Sequence, residues 1–109
     1  ALGSITAAVE AARTTAPGLR VEVETETLDQ VREALEARAD IIMLDDFDNE
    51  TMRAAVAMNR SHPHRASLES SGGVRLERLR SIAETGVDFI SIGSLTKNIE
   101  AVDLSMRFD

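Results

Sequence analysis

Apolar residues in this chain fall into short runs that break off at carboxylates, serines or glycines, with stretches of helical spacing between them. Val21-Glu22-Val23-Glu24 and Ile41-Ile42-Met43-Leu44-Asp45 finish in acids. Ser67-Leu68-Glu69-Ser70-Ser71-Gly72-Gly73 and Phe89-Ile90-Ser91-Ile92-Gly93 finish in serine and glycine. Runs of this length read as strands, and apolar positions at i, i+3 and i+4 read as helices. Repeated strand-then-helix order predicts an α/β fold with a parallel sheet. Such sheets keep their chemistry beyond the carboxyl ends of the strands.

The pattern resolves into elements. A helix over 4–16 has Ile5, Ala8, Val9 and Ala12 as its apolar stripe and Pro17-Gly18 as its stop. A strand over 20–25 follows. Thr27 to Gln30 forms a capping box opening a helix to about residue 37, with Leu28, Val31 and Leu35 inward. A second strand covers 40–45, and Asp48 is the N-cap of a helix over 49–60 that buries Met52, Ala55 and Val56. After the loop 61–65, a third strand spans 66–70. A helix over 74–85, carrying Leu76, Leu79 and Ile82, ends at Gly86. A fourth strand over 88–92 leads to a final helix near 97–106, burying Ile99, Val102 and Met106. The expectation is four strand–helix units with a leading helix. Because such domains ordinarily open with a strand, the chain reads as cut from something longer.

Alternation along the strands adds a face. With Val21 and Val23 toward the helices, Glu22 and Glu24 point the other way, and the same phase puts Asp45, Ser67, Glu69, Ser71, Ser91 and Gly93 beside them. A sheet covered on both sides would be apolar on both. One face here turns polar toward the carboxyl ends, which suits a barrel interior widening into a ligand pocket. Four units make half of an eight-stranded, TIM-type barrel.

Composition narrows the chemistry. At 109 residues the chain is a single domain, and with 3% aromatic residues its core is aliphatic, which disfavours binding through stacked bases. The net charge of −7 makes nucleic acid and anionic membranes poor partners. It also means that an anionic substrate must be held by backbone amides, a metal, or cations from another segment. Disulfides and thiolate chemistry are excluded by the absence of cysteine. With neither an apolar stretch of membrane-spanning length nor a basic leader, the cytoplasm is the default location.

Glu24 and Asp45, one strand–helix unit apart, offer hard oxygens for Mg²⁺, directly or through water, or for ribose hydroxyls. Acids at strand ends also serve simply as caps. Ser70-Ser71-Gly72-Gly73 precedes a helix, where glycines let the backbone approach an anion and the helix terminus adds free N–H groups; Gly93 on the next strand completes a phosphate cradle. A plain turn is the alternative. Glu22 and Glu69 read as pocket acids, either catalytic helpers or hydrogen-bonded interior groups. His62 and His64, flanking Pro63, lack the spacing of a metal pair. Lys97 follows Gly93 within reach of a phosphate, or is a solvated helix-start lysine. Leu44-Asp45 also has the look of a signalling receiver's phosphoacceptor. That reading needs adjacent acids after the first strand and a lysine-proline after the last, and this chain has neither.

With these residues placed, the chain resembles the carboxyl-terminal part of quinolinate phosphoribosyltransferase (nicotinate-nucleotide pyrophosphorylase). The matching stretches are Val21–Glu24, Ala39–Asp45, Leu68–Gly73, Glu84–Gly93, Leu95–Lys97 and Ala101–Phe108. The resemblance implies that quinolinate and phosphoribosyl pyrophosphate give nicotinate mononucleotide, pyrophosphate and CO₂, feeding NAD synthesis. It assigns Glu24 and Asp45 to the ribose hydroxyls and the Mg²⁺–pyrophosphate region. It assigns Ser71, Gly72, Gly73 and Gly93 to the ribose 5′-phosphate. Arg38 stands where the family usually has glycine, and Asp46 where it usually has asparagine; Thr25 and Glu26 are also less usual. The family's amino-terminal domain and first barrel strands, which carry its quinolinate- and pyrophosphate-binding cations, are not in this sequence. The expectation is a fragment inactive by itself that associates as a homodimer. The alternative is a non-catalytic phosphate- or nucleotide-binding half-barrel that self-associates.

Overall fold

The computed structural model describes residues 4–71, 76–92 and 95–98. Helix α1 (Ser4–Thr15) is followed by β1 (Glu22–Thr25), α2 (Leu28–Glu36), β2 (Ile41–Asp45) and α3 (Asn49–Ser61). Then come β3 (Ser67–Ser71), α4 (Leu76–Ala83), β4 (Phe89–Ile92) and β5 (Leu95–Asn98). The strands form one sheet in the order β1-β2-β3-β4-β5. The first four are parallel, as the strand–helix order requires. Their order never reverses, so successive crossovers lay the helices on one face of the sheet. Among the described residues, no helix is long and apolar enough to cross a membrane.

The last element corrects the sequence reading. Lys97 and Asn98, expected to open a final helix, lie in β5, which runs antiparallel to β4 with Ile92 opposite Leu95 and Phe89 opposite Asn98. The two residues between these strands in sequence are Gly93-Ser94. Pairing with β4 satisfies backbone groups that local helical spacing leaves out of account. The edge of β4 is therefore covered. The proposed helix positions Ile99, Val102 and Met106 lie outside the described residues, as do Val74 and Arg75 at the expected start of α4.

The core lies between helices and sheet. Val31, Ala34 and Leu35 of α2, Ile42 and Leu44 of β2, Met52, Ala55 and Val56 of α3, Leu68 of β3, and Ile82 and Ile90 are all buried in one cluster. The inward positions read for α2 and α3 are confirmed, with Leu28 packing at the margin. In α1 the stripe is narrower than expected: Val9 is buried and Ile5 half-buried, whereas Ala8 is exposed. Thr6 takes up the contact instead, donating from N–H and Oγ1 to Glu33 Oε2 at 3.3 and 3.2 Å.

Caps set the helix ends. Thr27 Oγ1 accepts from Gln30 N–H at 3.2 Å, while Gln30 Oε1 accepts from Glu26 N–H at 2.7 Å, one residue ahead of the N-cap. Asp48 Oδ1 accepts from Thr51 N–H at 2.7 Å. The α2 terminus is a Schellman turn, with Arg38 N–H donating to Leu35 O and Ala39 N–H to Ala34 O, both at 3.0 Å. Its left-handed position is held by Arg38 at φ 66°. Glycine adopts that conformation at little cost, and arginine does not. The α4 segment turns at Gly86, φ 98°, as its glycine led one to expect.

Candidate active site

The predicted strand phase holds. The buried side chains Ile42, Leu44, Leu68, Ser70 and Ile90 face the helices, so their alternates Glu22, Glu24, Ile41, Met43, Asp45, Ser67, Glu69, Ser71 and Phe89 share the other face. Register then fixes the neighbours. One row across the sheet reads Glu24, Met43, Glu69, Phe89. The next row toward the carboxyl ends reads Asp45, Ser71, Ser91.

Asp45 is thus one strand over and one row above Glu24, a diagonal of about 8 Å between Cα atoms from ordinary strand and residue spacing. Both carboxylates are exposed, while Glu69 is 7% exposed, in the row between half-buried Met43 and Phe89. Glu22 is exposed at the amino end of β1, about 7 Å along the strand from Glu24, with Ile41 as its cross-strand neighbour. Ile41, Met43 and Phe89 make the face more apolar than its acids suggested. Counting every second residue of β2 from Asp45 would have found the first two.

Asp45 and Ser71 are held together by the chain itself. They are direct register partners, and the Asp46 N–H just beyond donates to the Ser71 carbonyl at 3.1 Å. Asp46 adopts φ 59° to make that turn, a conformation that Asp and Asn tolerate better than most residues. Gly72, Gly73 and Gly93, the other expected members of the cradle, lie outside the described residues. On the opposite face, Thr25 is fully buried and donates to the Met43 carbonyl at 2.8 Å, locking β1 to β2 below the acids.

No group of three or more His, Cys, Asp or Glu side chains among the described residues could hold a metal ion alone. Two exposed carboxylates fit Mg²⁺ in its usual manner, which is to keep several waters and complete its shell with substrate phosphates. The carboxyl-end face therefore suits a hydrated cation and a polyhydroxylated ligand better than a bare anion.

The family described as quinolinate phosphoribosyl transferase, C-terminal domain, matches residues 1–107. The chain belongs to this family. Over 108 residues it is 44% identical to a probable nicotinate-nucleotide pyrophosphorylase [carboxylating] of Synechocystis, covering 98% of this chain and 37% of that protein. It is 40% identical over 108 residues to the rat nicotinate-nucleotide pyrophosphorylase [carboxylating], covering 98% and 36%. The solved nicotinate-nucleotide pyrophosphorylase of Francisella tularensis superposes with a TM-score of 0.75 at 41% identity, over 83% of this chain and 31% of that one. The chain spans a little over a third of the length of the curated relatives it matches. Of the four departures noted in sequence, Arg38 and Asp46 are the two non-glycine residues with positive φ among the described residues.

Proposed function

We propose that this chain carries the ribose-phosphate side of a quinolinate phosphoribosyltransferase site, making nicotinate mononucleotide, pyrophosphate and CO₂ from quinolinate and phosphoribosyl pyrophosphate. The reading is supported by one arrangement above all: in a chain of this family, exposed Glu24 and Asp45 share one face of the sheet with Ser71 at the carboxyl ends of three adjacent strands. In this reading the strands are part of a TIM-type barrel, and the chain works in the cytoplasm as a homodimer.

Glu24 and Asp45 accept hydrogen bonds from the ribose hydroxyls and hold Mg²⁺, directly or through water. An ion held by these two residues would supply positive charge for the pyrophosphate leaving group. Backbone amides at Ser71, Gly72, Gly73 and Gly93 fix the 5′-phosphate and with it the sugar's position. As the C1–oxygen bond lengthens, positive charge grows on the sugar, and the nearby carboxylates stabilise it. Buried Glu69 is an interior acid that shapes the floor between Met43 and Phe89. Quinolinate and pyrophosphate both need cations, and the described residues of the acidic face offer none, so the chain alone lacks turnover.

Two measurements test this. Nicotinate mononucleotide formation by the 109-residue chain with Mg²⁺ should fall far below the ~1 s⁻¹ of an ordinary slow enzyme. Ribose 5-phosphate with Mg²⁺ should shift the Ser71 amide in a nitrogen-15 titration, and Glu24→Gln and Asp45→Asn should remove the Mg²⁺-dependent part. Shifts confined to Lys97 or Arg65 would reduce the effect to surface charge and overturn the reading.

A further inference from the structure

The opposite, amino-terminal pole of the sheet holds a cavity of about 440 Å³ lined by Arg13, Arg38, Ala39, Asp40, His64 and Arg65. These residues arrive from three places: the last turn of α1, the α2–β2 connection and the α3–β3 connection. In a chain of net charge −7, three exposed arginines and one aspartate line this cavity. That carboxylate is already engaged, since Asp40 Oδ2 accepts from Val21 N–H at 2.7 Å and lies 3.5 Å from Arg13 Nη2. Arg13 also donates to the Arg38 carbonyl, and Arg65 Nη2 donates to the Arg60 carbonyl at 2.9 Å. Each contact uses part of a five-donor fork and keeps that guanidinium in place. The Arg38 guanidinium has no hydrogen bond or ion pair among the described residues.

Arg38 adds a second, independent observation. It occupies the left-handed position of the Schellman turn at φ 66°, and it is one of the residues lining the cavity. Strain kept at a position where glycine would relieve it points to a use for the side chain. We propose that this pole binds a small phosphate-bearing anion through Arg13, Arg38 and Arg65. Forks reaching in from three elements suit a tetrahedral group with oxygens on every side, and multiple charge-assisted bonds make such contacts strong. The pocket lies at the other end of the strands from Glu24, Asp45 and Ser71, so it is separate from the proposed reaction site.

The test is a nitrogen-15 titration of the whole chain with inorganic pyrophosphate, beside sodium chloride at equal ionic strength. Saturable shifts are expected at the amides of Arg38, Ala39, His64 and Arg65 with pyrophosphate only. Arg38→Gly should weaken that binding roughly tenfold, the worth of one charge-assisted contact, while raising the melting temperature because glycine relieves the backbone. Arg65→Gln should weaken it as well. Equal shifts with chloride, or undiminished affinity in both variants, would overturn the proposal. Shifts at Ser71 report on the other pole, so failure here and failure of the transferase reading are told apart residue by residue.

Discussion

Asp88 and Leu68 exchange two hydrogen bonds between neighbouring strands: the Asp88 N–H donates to the Leu68 carbonyl at 2.8 Å, and the Asp88 carboxylate accepts from the Leu68 N–H at 2.7 Å. Asp40 and Val21 make the same exchange at 2.9 and 2.7 Å. Each aspartate stands one residue ahead of its strand, β4 or β2, and closes the amino-terminal end of the ladder. Asn59 does the equivalent job for β3, its side-chain amide bonding both the N–H and the carbonyl of Ala66 at 2.9 and 2.8 Å.

Removing such a clamp strands a backbone N–H. Asp88→Ala should destabilise the chain by about 1–2 kcal/mol in urea unfolding, and Asp88→Asn, which keeps an acceptor, by less. Equal midpoints for Asp88→Ala and the parent would show that water replaces the carboxylate freely.

Asn59→Ala should cost more, about 2–3 kcal/mol, because Asn59 is 7% exposed and two buried backbone partners lose their bonds at once. Thermal unfolding compared with that of Asp88→Ala ranks the two.

At Gly86 a Cβ would meet Val56 Cγ1 and Arg60 Nη2, both at 3.1 Å, on a backbone of φ 98°. Arg60 is flexible at its tip, but Val56 belongs to the core. Gly86→Ala should therefore lose about 2 kcal/mol through combined strain and crowding. A loss under ~0.5 kcal/mol would mean that α3 yields without cost.

Arg38 and Asp46, the two left-handed non-glycine residues among the described ones, each have a replacement that tests the strain. Arg38→Gly should add about 0.5–1 kcal/mol, the relief of a left-handed arginine less the greater entropy of glycine in the unfolded chain. Asp46→Asn should be neutral or slightly stabilising, since asparagine also accepts φ 59° and removes one charge beside Asp45. Paired denaturation curves decide both.

Strand β1 is one edge of the sheet, with Glu22 and Glu24 exposed and Leu19 just before it 67% exposed. An unpaired edge is a template for another copy, and light scattering over a dilution series should report a dimer. The charged edge residues work against pairing, so higher salt should favour association. A mass near 11.8 kDa at every concentration would show that the chain manages its edge alone.

Periodicity, caps and alternation made most of this molecule legible in its sequence. The strands and helices through β4, the N-caps Thr27 and Asp48, and the shared face of Glu24, Asp45, Glu69 and Ser71 all depend on contacts within a few residues or on the period-two geometry of a strand. Motif resemblance reached the family because its residues recur in one register along the chain. Tertiary structure alone decided the rest. The antiparallel β5 exists through its partner β4, and helical spacing near Lys97 holds no information about that partner. The clamps join Val21 to Asp40 and Leu68 to Asp88 across 19 and 20 residues. The burial of Glu69 depends on which strands flank it. The basic cavity gathers residues from the end of α1 and from two connections, all distant in sequence. Local patterns are read along one segment, whereas partners, burial and convergent charge are properties of segments meeting in space.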